Sequence, residues 1–163
     1  MINRIIVSTD SEKYANLAKE YGVDVPYLRP AELAGDTSTD YDFIKHLLDW
    51  LVKNEGSTPD YLIILRPTTP LRDPEIIDNA IEELINNSKA TALRSGHEMP
   101  ETVYKQFELE NGYYKTICVG SFDLDEANKS RQEFPKTYGP NGYVDVLRTK
   151  YILDNHLLHG NHV

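Results

Sequence analysis

One cysteine, one tryptophan and two methionines are all that this 163-residue chain carries of those residue types. A lone Cys118 cannot close a disulfide within the chain, so a reducing cytoplasm is the expected compartment. Within its apolar run, Cys118 reads as a small core filler. Positive charge is also scarce. Lys and Arg number 17 against 26 Asp and Glu, for a formal net charge of −9. That is the opposite of the basic footprint that nucleic acid selects. No stretch approaches the ~20 consecutive apolar residues of a membrane span, and "MINRIIVSTD" lacks the apolar region of a signal peptide. Neither a nucleic-acid partner nor a membrane is expected. No His/Cys/Asp/Glu spacing suggests a metal centre. No G-x-S-x-G elbow and no glycine-rich phosphate loop occurs.

What is present fits one domain over residues 1–163, without linker or repeat. "RIIVS" (4–8) reads as a buried strand. The helix that follows has Tyr14, Ala18 and Tyr21 on one face, a capping box from Thr9 and Glu12, and Gly22 as its stop. Pro26 and Pro30 keep "VPYLRP" extended. The loop "ELAGDTSTD" opens into a helix whose apolar face is Phe43, Ile44, Leu47, Leu48 and Leu51. "YLIIL" is a continuous apolar strand of the sort buried on both faces. Asp73 caps the next helix with Pro74 at its first position, and Ile76, Ile77, Ala80, Ile81 and Leu84 supply its stripe. "ATALRS" is another strand. Strand, helix, strand, helix, strand predicts a parallel α/β sheet. After Ser95 the pattern changes. "TVYKQFELENGYYKTICV" is a hairpin turning at Asn111-Gly112, "DEANKSRQEFPKTYGPNG" a long irregular loop, "GYVDVLR" a late strand and "TKYILDN" a short helix.

In an open parallel sheet, ligands collect beyond the carboxyl ends of the strands. Arg29 stands near one such end, ahead of the helix N-terminus that Ser38, Thr39 and Asp40 approach. Free backbone N–H groups there suit anionic or polar ligand oxygens, although capping alone would explain one of the three. Arg66 ends "YLIIL" between that strand and Pro67, and Pro70 stiffens the loop further. It is either a preorganised binding cation or half of an ion pair. Arg72, beside Asp73 and Glu75, reads as structural. Lys105 and Arg131, taken alone, are solvated charges.

The ordered set "IIVSTDSEKYANLAKEYGVDVPYLRPAELAGDTST", "LRPTTPLRDPEIIDNAI" and "RQEFPKTYGPNGYVDV" resembles the acylneuraminate cytidylyltransferase family, the CMP-sialic acid synthetases and their relatives, from about Asn3 to Val146. The resemblance implies a Rossmann-like nucleotidyltransferase sheet, with a hairpin and long loop that serve dimerisation and sugar binding. It implies CTP and an acidic nine-carbon nonulosonic acid as substrates, Mg²⁺ as cofactor, and a homodimer. Arg29, Ser38 and Asp40 match nucleotide-binding positions, although serine is the more usual residue at Asp40. Arg66, Lys105, Arg131 and Asn141 match sugar-binding positions. Family members commonly read "LQPTSPLR" where this chain has Arg66 and Thr69, and often carry arginine where Gly139 stands; Arg66 would compensate for that charge.

The same resemblance implies two departures. The family's first strand with its Gly-, Arg- and Lys-rich triphosphate loop, and the later acidic pair that holds the metal, have no counterpart here. The chain is therefore expected to be a single, incomplete domain truncated at both ends, with impaired activity and an unfilled place in the middle of its sheet. No catalytic residue can be assigned. The alternative is a non-catalytic sugar-binding or partner subunit derived from the enzyme.

Overall fold

The computed structural model describes residues 1–118 and 124–163. In chain order the elements are α1 (Glu12–Glu20), α2 (Asp40–Glu55), β1 (Tyr61–Ile64), α3 (Pro74–Asn86), β2 (Ala92–Glu98), β3 (Phe107–Glu110), β4 (Tyr113–Thr116), β5 (Tyr138–Arg148) and α4 (Thr149–Asn155), with short 3₁₀ turns between them.

The expected helices form, each for a local reason. Helix α2 starts with a full capping box, Thr39 and Asp42 bonding each other's backbone N–H. It stops at Gly56, which takes the left-handed conformation open to glycine. Helix α3 begins at Asp73, whose carboxylate accepts from the Glu75 N–H at 2.9 Å, with Pro74 in the first turn. Its stripe is narrower than expected: Ile77, Ile81 and Leu84 are buried, whereas Ile76 is exposed. At α1 the cap is Ser11, which accepts from the Tyr14 N–H, and not Thr9; the Thr9 hydroxyl instead accepts from the Ser11 N–H. The hairpin β3–β4 turns where Asn111 and Gly112 both adopt positive φ, the requirement of its two-residue turn. Val119, the last residue of the expected hairpin stretch, lies outside the described residues.

The sheet departs from the parallel pattern. Its order is β1-β5-β2, and β5 is antiparallel to both neighbours. Strands β1 and β2 therefore run in the same sense without touching, because the long β5 returns between them. Alternating strands and helices fix direction, not adjacency, and "GYVDVLR" carries enough apolar surface to take the central place. Val146 and Leu147 are fully buried there. Each contributes about 1.5–3 kcal/mol relative to exposure.

Alternate β5 residues serve different layers. Val144 and Val146 pack with Ile77, Ile81 and Leu84 of α3, while Leu147 packs with Ile44 and Leu48 of α2 and Ile152 of α4. The result is helices on both faces of the sheet. Asp145 shares the α2/α4 side of β5 with Leu147.

Residues 4–8 do not form the expected strand. Their described pairing is one parallel bridge, Ile6 to Asp24, with the Val7 N–H donating to the Asp24 carbonyl at 2.9 Å and the Asp24 N–H to that of Ile5 at 3.1 Å. Arg4 ties this segment to Asp24 and to Glu55 of α2. Between residues 1–7 and β1 lies a cleft of about 740 Å³, with Leu47 and Leu51 of α2 and Ile81 and Ile85 of α3 among its walls.

Candidate functional site

The end of β1 delivers Arg66 into a cluster of charges. Its Nη1 donates to Asp145 Oδ2 at 2.8 Å, and its Nη2 bonds Asp40 Oδ2. Arg94 of β2 reaches the same buried carboxylate, Nε to Oδ1 at 3.5 Å, an ion-pair distance rather than a hydrogen bond. His159 Nε2 stands 3.8 Å from Asp145 Oδ2. Arg66 is thus not a lone cation aimed outward. The ion-pair reading of Arg66 is realised, through two carboxylates at once.

The sequence pattern explains why Asp145 can sit there. It is the one charged residue in the apolar run "YVDVL", held by β5 on the α2/α4 face, and its side chain is 1% exposed. A carboxylate so deeply placed requires paired cations. Burial works against Arg66's charge, yet the hydrogen bonds to Asp145 and Asp40 raise its pKa above the ordinary arginine value. His159 moves the other way. Desolvation and then the positive Arg94 push its pKa below the ordinary imidazole value, so it is neutral near pH 7. Two arginines face two carboxylates, and the cluster balances.

Around this cluster the loop 66–72 is held from behind. Arg72 Nε donates to the Tyr143 carbonyl at 2.6 Å and its Nη2 to the Arg66 carbonyl at 2.6 Å, while its guanidinium lies over the Tyr143 ring. The structural reading of Arg72 holds. Asn141 stands next to Gly142, where an added Cβ would come within 3.5 Å of Thr69 Oγ1 and 3.8 Å of Arg66 Cδ. Gly142, Thr69 and Arg66 therefore share one neighbourhood, and Asn141 precedes it in the chain.

The other expected positions distribute as follows. Arg29 lies over the Phe43 ring of α2 and donates through Nη2 to the Ser8 carbonyl at 2.9 Å; its Nε is buried with no hydrogen-bond partner. The Ser38 hydroxyl donates to the Glu32 carbonyl at 3.2 Å, stapling the loop ahead of α2. Asp40, in the first turn of α2, spends its carboxylate on Arg66 and so links the α2 N-terminus to the end of β1. Lys105 and Arg131 form a second group. Lys105 Nζ donates to the Lys129 carbonyl at 2.6 Å and lies 5.8 Å from the centre of the Phe134 ring. Arg131 borders a cavity of about 500 Å³ with Glu98, Thr102, Phe134 and Lys136.

Sequence reasoning missed Asp145, Arg94 and His159. A charged residue inside a five-residue apolar run was the available signal for Asp145. Arg94 and His159 carried none, since only the packing of β2 and of the segment after α4 brings them to it.

Mg²⁺ does not fit among these groups. Among the described residues no three His, Cys, Asp or Glu side chains come together as a metal-binding set. The acids beside Arg66 are both committed to arginine, whose charge would repel a cation.

Residues 1–156 match the family model described as "Cytidylyltransferase". The chain is 44% identical over 153 residues to the CMP-N,N'-diacetyllegionaminic acid synthase of Legionella pneumophila, covering 93% of this chain and 62% of that protein. It is 30% identical over 164 residues to the N-acylneuraminate cytidylyltransferase of Escherichia coli O18:K1:H7, with 99% and 35% covered. To the post-translational flagellin modification protein B of Campylobacter coli it is 27% identical, with 98% and 66% covered. The chain thus spans between about a third and two thirds of the length of these relatives. Among the described residues no helix is long and apolar enough to cross a membrane.

Proposed function

Because this chain belongs to the cytidylyltransferase family, we propose that it serves the activation of a sialic-acid-like nonulosonic acid with CTP, giving the CMP-sugar and pyrophosphate. In that reaction the sugar's anomeric hydroxyl oxygen bonds to the α-phosphorus of CTP as the bond from that phosphorus to the pyrophosphate oxygen breaks. The hydroxyl proton passes to solvent or a base.

The chain's own share of this is positioning. The approach of Arg66 and Thr69 to Gly142, next in the chain to Asn141, carries the reading: a guanidinium and a hydroxyl at one strand end, on a loop fixed by two prolines and Arg72, suit an acidic sugar, with Asn141 as a further contact. Its carboxylate would take the place of Asp40 at Arg66 Nη2, a charge-assisted hydrogen bond, while Nη1 stays on Asp145. Arg29 and Ser38 would meet the nucleotide, and Lys105 and Arg131 would close over the sugar from the second group. The α/β/α layering would be the sugar side of a Rossmann-like nucleotidyltransferase sheet. The hairpin, with Tyr113 and Tyr114 largely exposed, would serve a homodimer.

The relatives' names support the substrate class, with legionaminic and N-acylneuraminic acids at their centre. The test is pyrophosphate release with CTP, Mg²⁺ and a panel of nonulosonic acids. The expected result is little turnover by this chain alone, with calorimetric binding of at least one of the acids. Binding of none of them would overturn the reading. The alternative, a non-catalytic sugar-binding subunit, is favoured by one observation, the commitment of both carboxylates beside Arg66 to arginine. Binding without turnover, even with the longer relatives' remaining segments supplied, would select it.

A further inference from the structure

Ser95 falls where the β2–β5 ladder breaks register. Arg94 faces Asp145 and Gly96 faces Pro140, so β5 takes five steps where β2 takes two. Bulges of this kind re-aim side chains beside functional sites. Here the excess on β5 includes Asn141 and Gly142, with Gly142 beside Thr69 and Arg66 and Asn141 bonded to Ser95.

Three hydrogen bonds then fix the Asn141 amide. The Val144 N–H donates to Ser95 Oγ at 2.9 Å, which leaves the hydroxyl proton free to be given elsewhere. Ser95 Oγ donates it to Asn141 Oδ1 at 2.6 Å, and the Tyr143 N–H donates to the same oxygen at 3.0 Å. A backbone N–H can only donate, so the atom it meets is the carbonyl oxygen whatever the labelling of the amide. The NH₂ group is therefore the opposite end, and Asn141 is exposed.

We infer that Ser95 is a positioning residue that locks the Asn141 carboxamide with its NH₂ outward, making the surface of the bulge at Asn141, one residue before Gly142, a donor subsite that takes an acceptor oxygen of the substrate, a carboxylate or an N-acyl carbonyl. This rests on the acidic-sugar reading of the same site. With its oxygen doubly engaged, Asn141 offers donors only, and a substituent presenting an N–H there would face another donor. Asn141 thus selects for an oxygen acceptor, and Ser95 sets that preference without touching the substrate.

The experiment has two arms on ¹⁵N-labelled protein. In the free protein, the Asn141 side-chain amide pair is identified by its loss in Asn141→Asp. Ser95→Ala is expected to move that pair toward the shifts of a freely turning asparagine side chain as the Cβ–Cγ bond is released, and Ser95→Thr to restore it. An unmoved pair in a folded Ser95→Ala protein overturns the lock. In the second arm, a nonulosonic acid is titrated. The Asn141 pair should shift on binding, Asn141→Asp should weaken affinity at least about tenfold, Ser95→Ala several-fold, and Ser95→Thr should rescue. Binding by wild type that Asn141→Asp leaves unchanged overturns the donor subsite. Absence of binding by wild type overturns the acidic-sugar reading, while the first arm still decides the lock.

Discussion

Replacing Asp145 by asparagine is the sharpest test of the charge cluster. The substitution keeps the shape and removes the one negative charge that Arg66, Arg94 and His159 share at 2.8, 3.5 and 3.8 Å. Removing one partner of a buried pair typically costs about 3–5 kcal/mol, because the other charge is left uncompensated. Arg66 and Arg94 are 24% and 39% exposed and can recover some hydration, which lowers the expectation to about 2–4 kcal/mol. The amide oxygen introduced by Asp145→Asn can still accept from Arg66, but the new NH₂ would confront Arg94. For a domain of this size the loss corresponds to a fall in Tm of about 5–15 °C. Urea denaturation at pH 7 gives the free energy directly, provided that the slope m is unchanged. Asp40→Asn is the internal control: it meets the same arginine from a half-exposed position and should cost about 1 kcal/mol or less. If Asp145→Asn costs no more than Asp40→Asn, the cluster is not organised around Asp145 and the account of Arg66 fails.

Three further outcomes follow from the geometry. Arg66→Gln, which leaves the loop's proline scaffold intact, should weaken nonulosonic-acid affinity about tenfold or more by calorimetry, and unchanged affinity would remove Arg66 from the sugar site. His159, whose pKa is lowered by burial and by Arg94 against the opposing pull of Asp145, binds its proton more readily in the unfolded chain. Stability should therefore be intact above about pH 6.5 and fall as pH drops through the range just below it, and His159→Gln should flatten that part of the denaturation profile. If the hairpin carries the proposed homodimer, light scattering should give a dimer mass for the wild type and a monomer mass once Tyr113 and Tyr114 are both replaced by serine; a monomeric wild type or an unchanged dimer mass would refute that role.

The sequence was informative where structure is local. Helices α2 and α3 declared themselves through caps and a stripe of period 3.6, and Asn111-Gly112 named its own turn. Pairing was less legible. Nothing in "YLIIL" or "ATALRS" says that a segment about fifty residues further along lies between them, because strand adjacency is decided by packing across the whole domain. The site divides in the same way. Arg66 stood out because a charge at the end of an apolar strand, followed by proline, is locally odd. That two carboxylates hold it came from β5 and α2, elements far away in sequence. Asp145 was a charge inside an apolar strand, yet the pattern alone could not say which cations would meet it.

The cleft beside β1 has a consequence for handling the molecule in solution. Thr149 N–H bonds the Asp60 carbonyl at 3.0 Å, and antiparallel alternation from that pair turns the backbone groups of Tyr61 and Ile63 away from β5, toward the cleft. On the far wall, Ile6 is turned the same way by the bridge on either side of it. An uncovered row of donors and acceptors flanked by aliphatic side chains is a template for intermolecular strand pairing. The chain's −9 charge keeps copies apart at low ionic strength. Salt shortens the reach of that repulsion to about 10 Å at 0.1 M. Colloidal behaviour is thus set by a contest between a sticky edge and a negative surface, and ionic strength is the dial between dispersed chains and aggregates.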